Sequence, residues 1–294
     1  MGLQHASHHH PLAGIAVVTD SGCDLPRHLL DRWQIHQVPL SIHWGGDQYL
    51  DRYTLSATRF YEQFGRRDPP PTTSQPPPYR LDRTYRALAG GHQAILSVHL
   101  SGRLSGTIEA ARSAARRLSE RPVHVLDSRQ VSTGFGLVVL AAAEAVASGA
   151  DADRAARLVD DLAARTEVLV AVRSMDAMIR GGRVGPLKGM LARRLGLLPI
   201  VSLDRDGRTV VRGKVRSFEG AIEHIAARIA RRVRGERVER WALAHAGAAA
   251  SADEVAGRLA DLIGRAPEYL METSPMLGIH AGLGSLCIAV QWSA

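Results

Sequence analysis

Ile15-Ala16-Val17-Val18-Thr19-Asp20-Ser21-Gly22-Cys23-Asp24-Leu25-Pro26 is the stretch on which the fold turns. Its apolar run, closed by Asp20-Ser21-Gly22, reads as a buried strand that hands the chain to a helix beginning near Pro26. The same unit recurs downstream. His36 to Ile42 reads as a second strand, followed by a Gly45-Gly46-Asp47 turn and a helix near 56–64. Ala94 to Leu100 is a third strand. After it, Ser101-Gly102 leads into an amphipathic helix with Leu104, Ile108, Ala111, Ala115 and Leu118 on one side. Val123 to Leu126 is another strand, with helices near 131–147 and 151–165. Strands alternating with helices in this way predict a doubly wound, mainly parallel α/β domain over residues 13–165.

The second half has another rhythm. A strand over Glu167–Val172 precedes a short helix that stops at Gly181-Gly182. Leu198–Leu203 and Thr209–Gly213 flank Asp204-Arg205-Asp206-Gly207, a hairpin signal. Helices over 218–233 and 252–264, a strand over 240–245 and two terminal strands follow, and Met276-Leu277-Gly278-Ile279 is strand-like. This predicts an α+β domain with a largely antiparallel sheet over 166–294. Residues 1–12, with His5, His8, His9 and His10, read as a disordered leader. Between the early helices, six prolines flank Thr72-Thr73-Ser74-Gln75 and predict a stiff extended loop.

Composition narrows the function. Aromatic residues are scarce at 5%, so Ala, Val, Leu and Ile must fill the core. Only Cys23 and Cys287 occur, and no signal-peptide core or membrane span is apparent, which predicts a reduced cytoplasmic protein. The net charge of +8 is concentrated between Arg173 and Arg240, where 17 Lys or Arg face 7 Asp or Glu. That predicts a basic face for an acidic partner, a phosphate or transient membrane-surface contact, against the plainer reading of solvated Arg-rich helices. No nucleic-acid motif accompanies it. No Gly-x-Ser-x-Gly, His-Glu-x-x-His or paired Cys-x-x-Cys occurs, so neither a nucleophile elbow nor a metal site is expected.

In a doubly wound sheet, ligands sit beyond the carboxyl ends of the strands. Thr19-Asp20-Ser21, Ser101 with Ser105-Gly106-Thr107, and Asp127-Ser128 all fall there, and Thr72-Thr73-Ser74-Gln75 can reach the same edge. Taken singly, Ser21, Ser101 and Ser128 read as caps and turns. Taken together with His280-Ala281-Gly282-Leu283-Gly284, they suggest a nest of donors for an oxyanion or carboxylate. Arg180-Gly181-Gly182-Arg183 and Lys214-Val215-Arg216 form a second, cationic constellation, and Lys188 and Lys214 are the only lysines in the chain.

In order, these segments resemble the signatures of the DegV family. Thr19-Asp20-Ser21-Gly22-Cys23-Asp24-Leu25 is similar to the opening TDSxxDL, and Val38-Pro39-Leu40 with Gly46 to Asp51 to the VPL and Y.D segment. Thr73-Ser74-Gln75-Pro76 matches TSQP, and Ser101 to Thr107 resembles SSxLSGT with Gly102 in place of the second Ser. Asp127-Ser128 with Gly134-Phe135-Gly136, Gly181-Gly182-Arg183-Val184, Lys214-Val215-Arg216 and His280 to Gly284 complete the series, with Leu283 replacing a Pro.

The resemblance implies a non-catalytic carrier that buries a long-chain fatty acid in a tunnel between two domains and needs no other cofactor. It implies a carboxyl group held by Thr73, Ser101 and His280, with Ser21, Ser74, Gly102 and Gly282 nearby. It also implies presentation of that group to a fatty-acid kinase that makes an acyl phosphate, with docking through Arg183, Lys214 and Arg216. Two alternatives remain open from the residues themselves. One is a hydrolase or acyl- or phosphoryl-transfer enzyme using Asp20, Ser21 and His280, and the other an interaction module using the basic face.

Overall fold

The computed structural model describes residues 13–183 and 196–293. The His-containing leader and Lys188 lie outside the described residues. The first half contains β1 (Ala13–Asp20), α1 (Arg27–Arg32), β2 (Ile35–Val38), β3 (Ser41–Trp44), β4 (Asp47–Leu50) and α2 (Ala57–Gln63). It continues with β5 (Thr72–Ser74), α3 (Pro78–Ala89), β6 (His92–His99), α4 (Thr107–Ala115), β7 (Val123–Asp127), α5 (Ser132–Ala147) and α6 (Ala152–Arg165). The second half adds β8 (Thr166–Ala171), α7 (Asp176–Gly181), β9 (Leu198–Leu203), β10 (Thr209–Val215) and α8 (Phe218–Arg232). Then come β11 (Val238–His245), α9 (Ala249–Ile263), β12 (Leu270–Glu272), α10 (Pro275–Ala281) and β13 (Leu286–Trp292).

Four strands of the first half form a parallel sheet in the order β2-β1-β6-β7. Its two faces are covered differently. Leu81, Tyr85, Ala111 and Ala114 of α3 and α4 pack on Val18 and Ile95. On the other face Val17, Leu96 and Val98 meet Phe135, Leu137 and Leu140 of α5. The second sheet runs β10-β9-β8-β13-β11-β12 and is antiparallel except for β11 with β12, with α8 and α9 packed against it. The fold class is thus an α/β parallel lobe joined to an α+β, largely antiparallel lobe.

α5 explains how the lobes join. Every residue from Ser132 to Ala143 is buried, and the helix is apolar on all sides, the mark of one enclosed by protein. Its apolar cluster takes in Ala242 and Ala289 of the second sheet, so one core crosses from lobe to lobe. Gly136 is needed for this contact: a Cβ there would stand 2.4 Å from the Cys23 carbonyl and 2.2 Å from the Tyr269 hydroxyl.

Several elements depart from expectation: α3 and β4 appear where no element was read, α4 begins only at Thr107, and three further changes bear on the site. The single strand over His36–Ile42 is two strands, because Pro39 has no N–H for a ladder and the chain changes sheets there. β3 then pairs with β4 and β5 in a small antiparallel sheet, order β4-β3-β5. Thr72–Ser74 of the proline-flanked tetrad is therefore strand β5 rather than an unpaired stiff loop; the prolines bound it, and it pairs with Ser41–His43. Finally, the strand-like Met276–Ile279 lies inside helix α10. Ser274-Pro275 is a helix start and Gly282 a helix stop, and these signals prevail over a four-residue apolar run.

Candidate functional site

An apolar cavity lies where the small sheet, the parallel sheet edge and the second sheet meet. It encloses about 860 Å³ of empty space, its open mouth included. Its walls are Leu40, Leu100, Val131, Val168, Val201 and Met276, with Met178 from α7. Strands β8 and β9 supply the β-branched wall because alternate residues of a strand face one side. Thr73, Ser74 and Gln75 of the β5 segment, with Ser105 and Arg183, line both the cavity and its adjoining opening, His280 meets Thr73 there, and Ser202 and Thr209 complete the polar lining. Arg103 and Gly102 stand around the same opening.

At that end Thr73 Oγ1 and His280 Nε2 are 2.8 Å apart, each side chain half-buried. They come from opposite halves of the chain, one on β5 and one in the last turn of α10. Burial, reinforced by the nearby Arg183 guanidinium, pushes the imidazole down to about 4, so it is neutral at pH 7. Its Nδ1 is buried without a partner. Gly181 makes room for it, since a Cβ there would sit 2.3 Å from Nδ1. Arg183 is exposed and donates to the Gly181 carbonyl at 2.6 Å. A neutral donor pair beside a fixed cation, at the end of an apolar cavity, suits a carboxylate with an alkyl tail.

The chain belongs to the DegV family. Residues 14–292 match the family described as uncharacterised protein, DegV family. A DegV domain-containing protein of Mycobacterium tuberculosis is 34% identical over 283 residues, covering 95% of this chain and 98% of that one. One from Streptomyces coelicolor is 35% identical over 278 residues, covering 94% and 98%. Among solved structures, a fatty-acid-binding DegV family protein from Thermus thermophilus superimposes with a TM-score of 0.85 at 30% identity, covering 94% and 99%. DegV of Bacillus subtilis, a fatty acid binding protein, gives 0.86 at 27% identity over 95% and 99%.

The other DegV signature residues divide into mouth and foundation. Ser74 is exposed at the mouth, with its hydroxyl 3.0 Å from His43 Nε2. Gly102 is exposed and its N–H donates to Asp127 at 3.1 Å. Gly282 ends α10 and lines no part of the cavity. Ser101 is fully buried and is not in the cavity wall. Its hydroxyl donates to the Gly207 carbonyl at 2.8 Å, at the tip of the β9–β10 hairpin, and α4 begins only at Thr107. Gly207 permits that contact: its φ is +79°, and a Cβ would stand 2.3 Å from Ser101 Oγ. Ser105, read from the sequence as one of the hydroxyl residues at the sheet edge, lines the cavity, whereas Met276 and Met178 line it without having been singled out, because nothing local distinguishes them from core.

Asp20, Ser21 and His280 do not form a relay. Asp20 is fully buried and accepts from His99 Nδ1 at 2.9 Å, Leu100 N at 3.1 Å and Gly22 N at 3.0 Å. His99 continues to Ser97 and Tyr85 through contacts of 2.8 and 2.7 Å, a closed chain inside the parallel lobe. Ser21 accepts from Leu40 N at 3.1 Å, while His280 meets Thr73. Cys23 and Cys287 are buried free thiols, and burial pushes Cys23 up to about 12, far from a reactive thiolate. Among the described residues no group of three or more His, Cys, Asp or Glu is gathered as metal ligands, and no helix is long and apolar enough to cross a membrane.

Proposed function

We propose that the protein binds a long-chain fatty acid, tail in the apolar cavity and carboxyl group at its polar end. The observation that carries this reading is the neutral Thr73–His280 pair, which closes a cavity otherwise walled by aliphatic side chains. About a dozen methylenes entering such a cavity contribute roughly 10 kcal/mol of transfer free energy, part of which offsets the cost of ordering the chain. The head group then sets orientation. Ser101 is the third donor of the clamp, a role that requires its hydroxyl to leave the Gly207 carbonyl. The two fatty-acid-binding relatives of known structure support the reading.

The chain acts as a carrier without chemistry of its own and offers the carboxyl group to a fatty-acid kinase. The lobes that enclose the ligand are residues 13–165 and 166–294. Arg183, beside the mouth, and Lys214 and Arg216, at the end of edge strand β10, are exposed and form no ion pair among the described residues, as a docking surface for an acidic partner requires. Lipid extraction from purified protein, followed by mass spectrometry, tests the first step. A bound long-chain acid is expected, with a higher melting temperature on adding hexadecanoate. Protein that is always empty and gains no stability from the acid would overturn the proposal.

A further inference from the structure

Two acidic residues of the DegV signatures, Asp24 and Asp51, line no part of the cavity, yet both are fully buried. Such burial costs several kcal/mol unless donors converge on the carboxylate. Here they converge from one place. Asp24 accepts from Ser274 N at 2.8 Å and from the Thr273 hydroxyl, besides Ser132 Oγ at 2.8 Å. Asp51 accepts from Met276 N at 3.1 Å. Thr273 to Met276 are the entry and first turn of α10, the short helix that puts Met276 into the cavity wall and His280 against Thr73.

α10 has only seven residues, and positions four apart lie one turn above the other on the same face. Wherever Met276 is held, His280 is therefore set as well. The apolar contact of Ile279 with Ile42, Trp44 and Phe60 holds the helix down on the small sheet. That contact is non-directional, whereas hydrogen bonds to the N–H groups of Ser274 and Met276 fix the helix along and about its axis. Asp51 does this at a cost to the fold. Burial, opposed by the Ser21 hydroxyl and by Met276 N, leaves the carboxyl at about 7.

We infer that Asp24 and Asp51 are positioning residues of the carboxyl clamp, holding the start of α10 against the first lobe so that His280 meets Thr73. The inference rests on the carboxylate-binding reading and gives a role to two of the acidic signature residues that the cavity leaves out. It predicts an effect confined to the head group.

The test compares hexadecanoate with hexadecanol, which has the same tail and no carboxylate, and follows the ¹⁵N imidazole resonances of His280 in ligand-free protein. Asp51→Ala should weaken hexadecanoate about tenfold, the loss of one good hydrogen bond, and leave hexadecanol within about twofold. It should also shift the His280 resonances. Asp51→Asn, which keeps an acceptor for Met276 N, should restore both. Thr273→Val, which keeps the side-chain shape and removes one donor to Asp24, should show the same selectivity more weakly, and it replaces Asp51→Ala if that chain does not fold. Equal losses for both lipids, or unmoved His280 resonances, would overturn the inference. If the unaltered protein takes up neither lipid, the fatty-acid reading fails by itself. The His280 resonances then judge the positioning alone: a shift upholds it and no shift rejects it.

Discussion

His280 has one nitrogen committed to Thr73 and one stranded against Gly181. Such a ring is poised to accept a new acidic neighbour, because a carboxylate at the mouth would favour the imidazolium that burial and Arg183 now disfavour. Thr73 and Ser101 differ in how ready they are. Thr73 already faces the cavity, while Ser101 is spent on Gly207. Thr73→Ala is expected to weaken fatty-acid binding by about 1–3 kcal/mol, the cost of leaving a carboxylate oxygen without a donor. Ser101→Ala should cost a similar amount and also increase amide exchange at 204–208, where the hairpin tip loses its anchor. Calorimetric titration and hydrogen exchange check both, and a normal affinity in Ser101→Ala would confine that residue to holding the hairpin.

At the scale of elements, α10 carries two titratable contacts of opposite sign. His280 is lowered in the folded protein from 6.5 to about 4, so its contribution to stability is whole above about 6.5 and is lost as pH falls toward 4. Asp51, facing Asp24 and Arg52, is raised from 3.8 to about 7. Its contribution is whole below 3.8 and is lost as pH rises through 7. Between about 4 and 6.5 the two oppose each other. Relative to the unaltered protein, His280→Asn should therefore lose ground as pH rises through that window, and Asp51→Asn should gain it. Urea unfolding at a series of pH values measures both slopes; parallel curves for the two variants would show that neither group titrates with folding.

At the scale of the whole molecule, the proposed function puts retention and presentation of the acid on different parts of the structure. Retention belongs to the seam between lobes, where α5 is shared and α10 crosses to the small sheet. Presentation, in the proposed function, would fall to the cations outside it. Several arginines of the basic region serve structure instead: Arg228 and Arg232 pair with Glu167, and Arg173 lies over the Phe218 ring. Lys214 and Arg216 are exposed and form no ion pair among the described residues, and Arg183, also exposed, donates only to the Gly181 carbonyl. Reversing charge at Lys214 and Arg216, which line no part of the cavity, is expected to leave lipid content and affinity unchanged while lowering kinase-dependent phosphorylation of the bound acid at least tenfold. Loss of lipid in the same variant would assign those residues to the fold.

Much of this was legible in the residues themselves. The Ile15–Pro26 unit, repeated, implies a parallel sheet because strand and helix periodicities are local properties, and Asp204 to Gly207 implies a hairpin for the same reason. The ordered signatures located Thr73 and His280 before any contact between them was visible. The tertiary structure alone decided that β5 is a strand, that α10 is a helix pinned by Asp24 and Asp51, and that Ser101 is turned toward Gly207. Each of these depends on a partner far away in the chain. A three-residue strand exists only through pairing with β3, and a seven-residue helix is too short to hold itself in water. A serine hydroxyl takes whichever acceptor the other lobe presents.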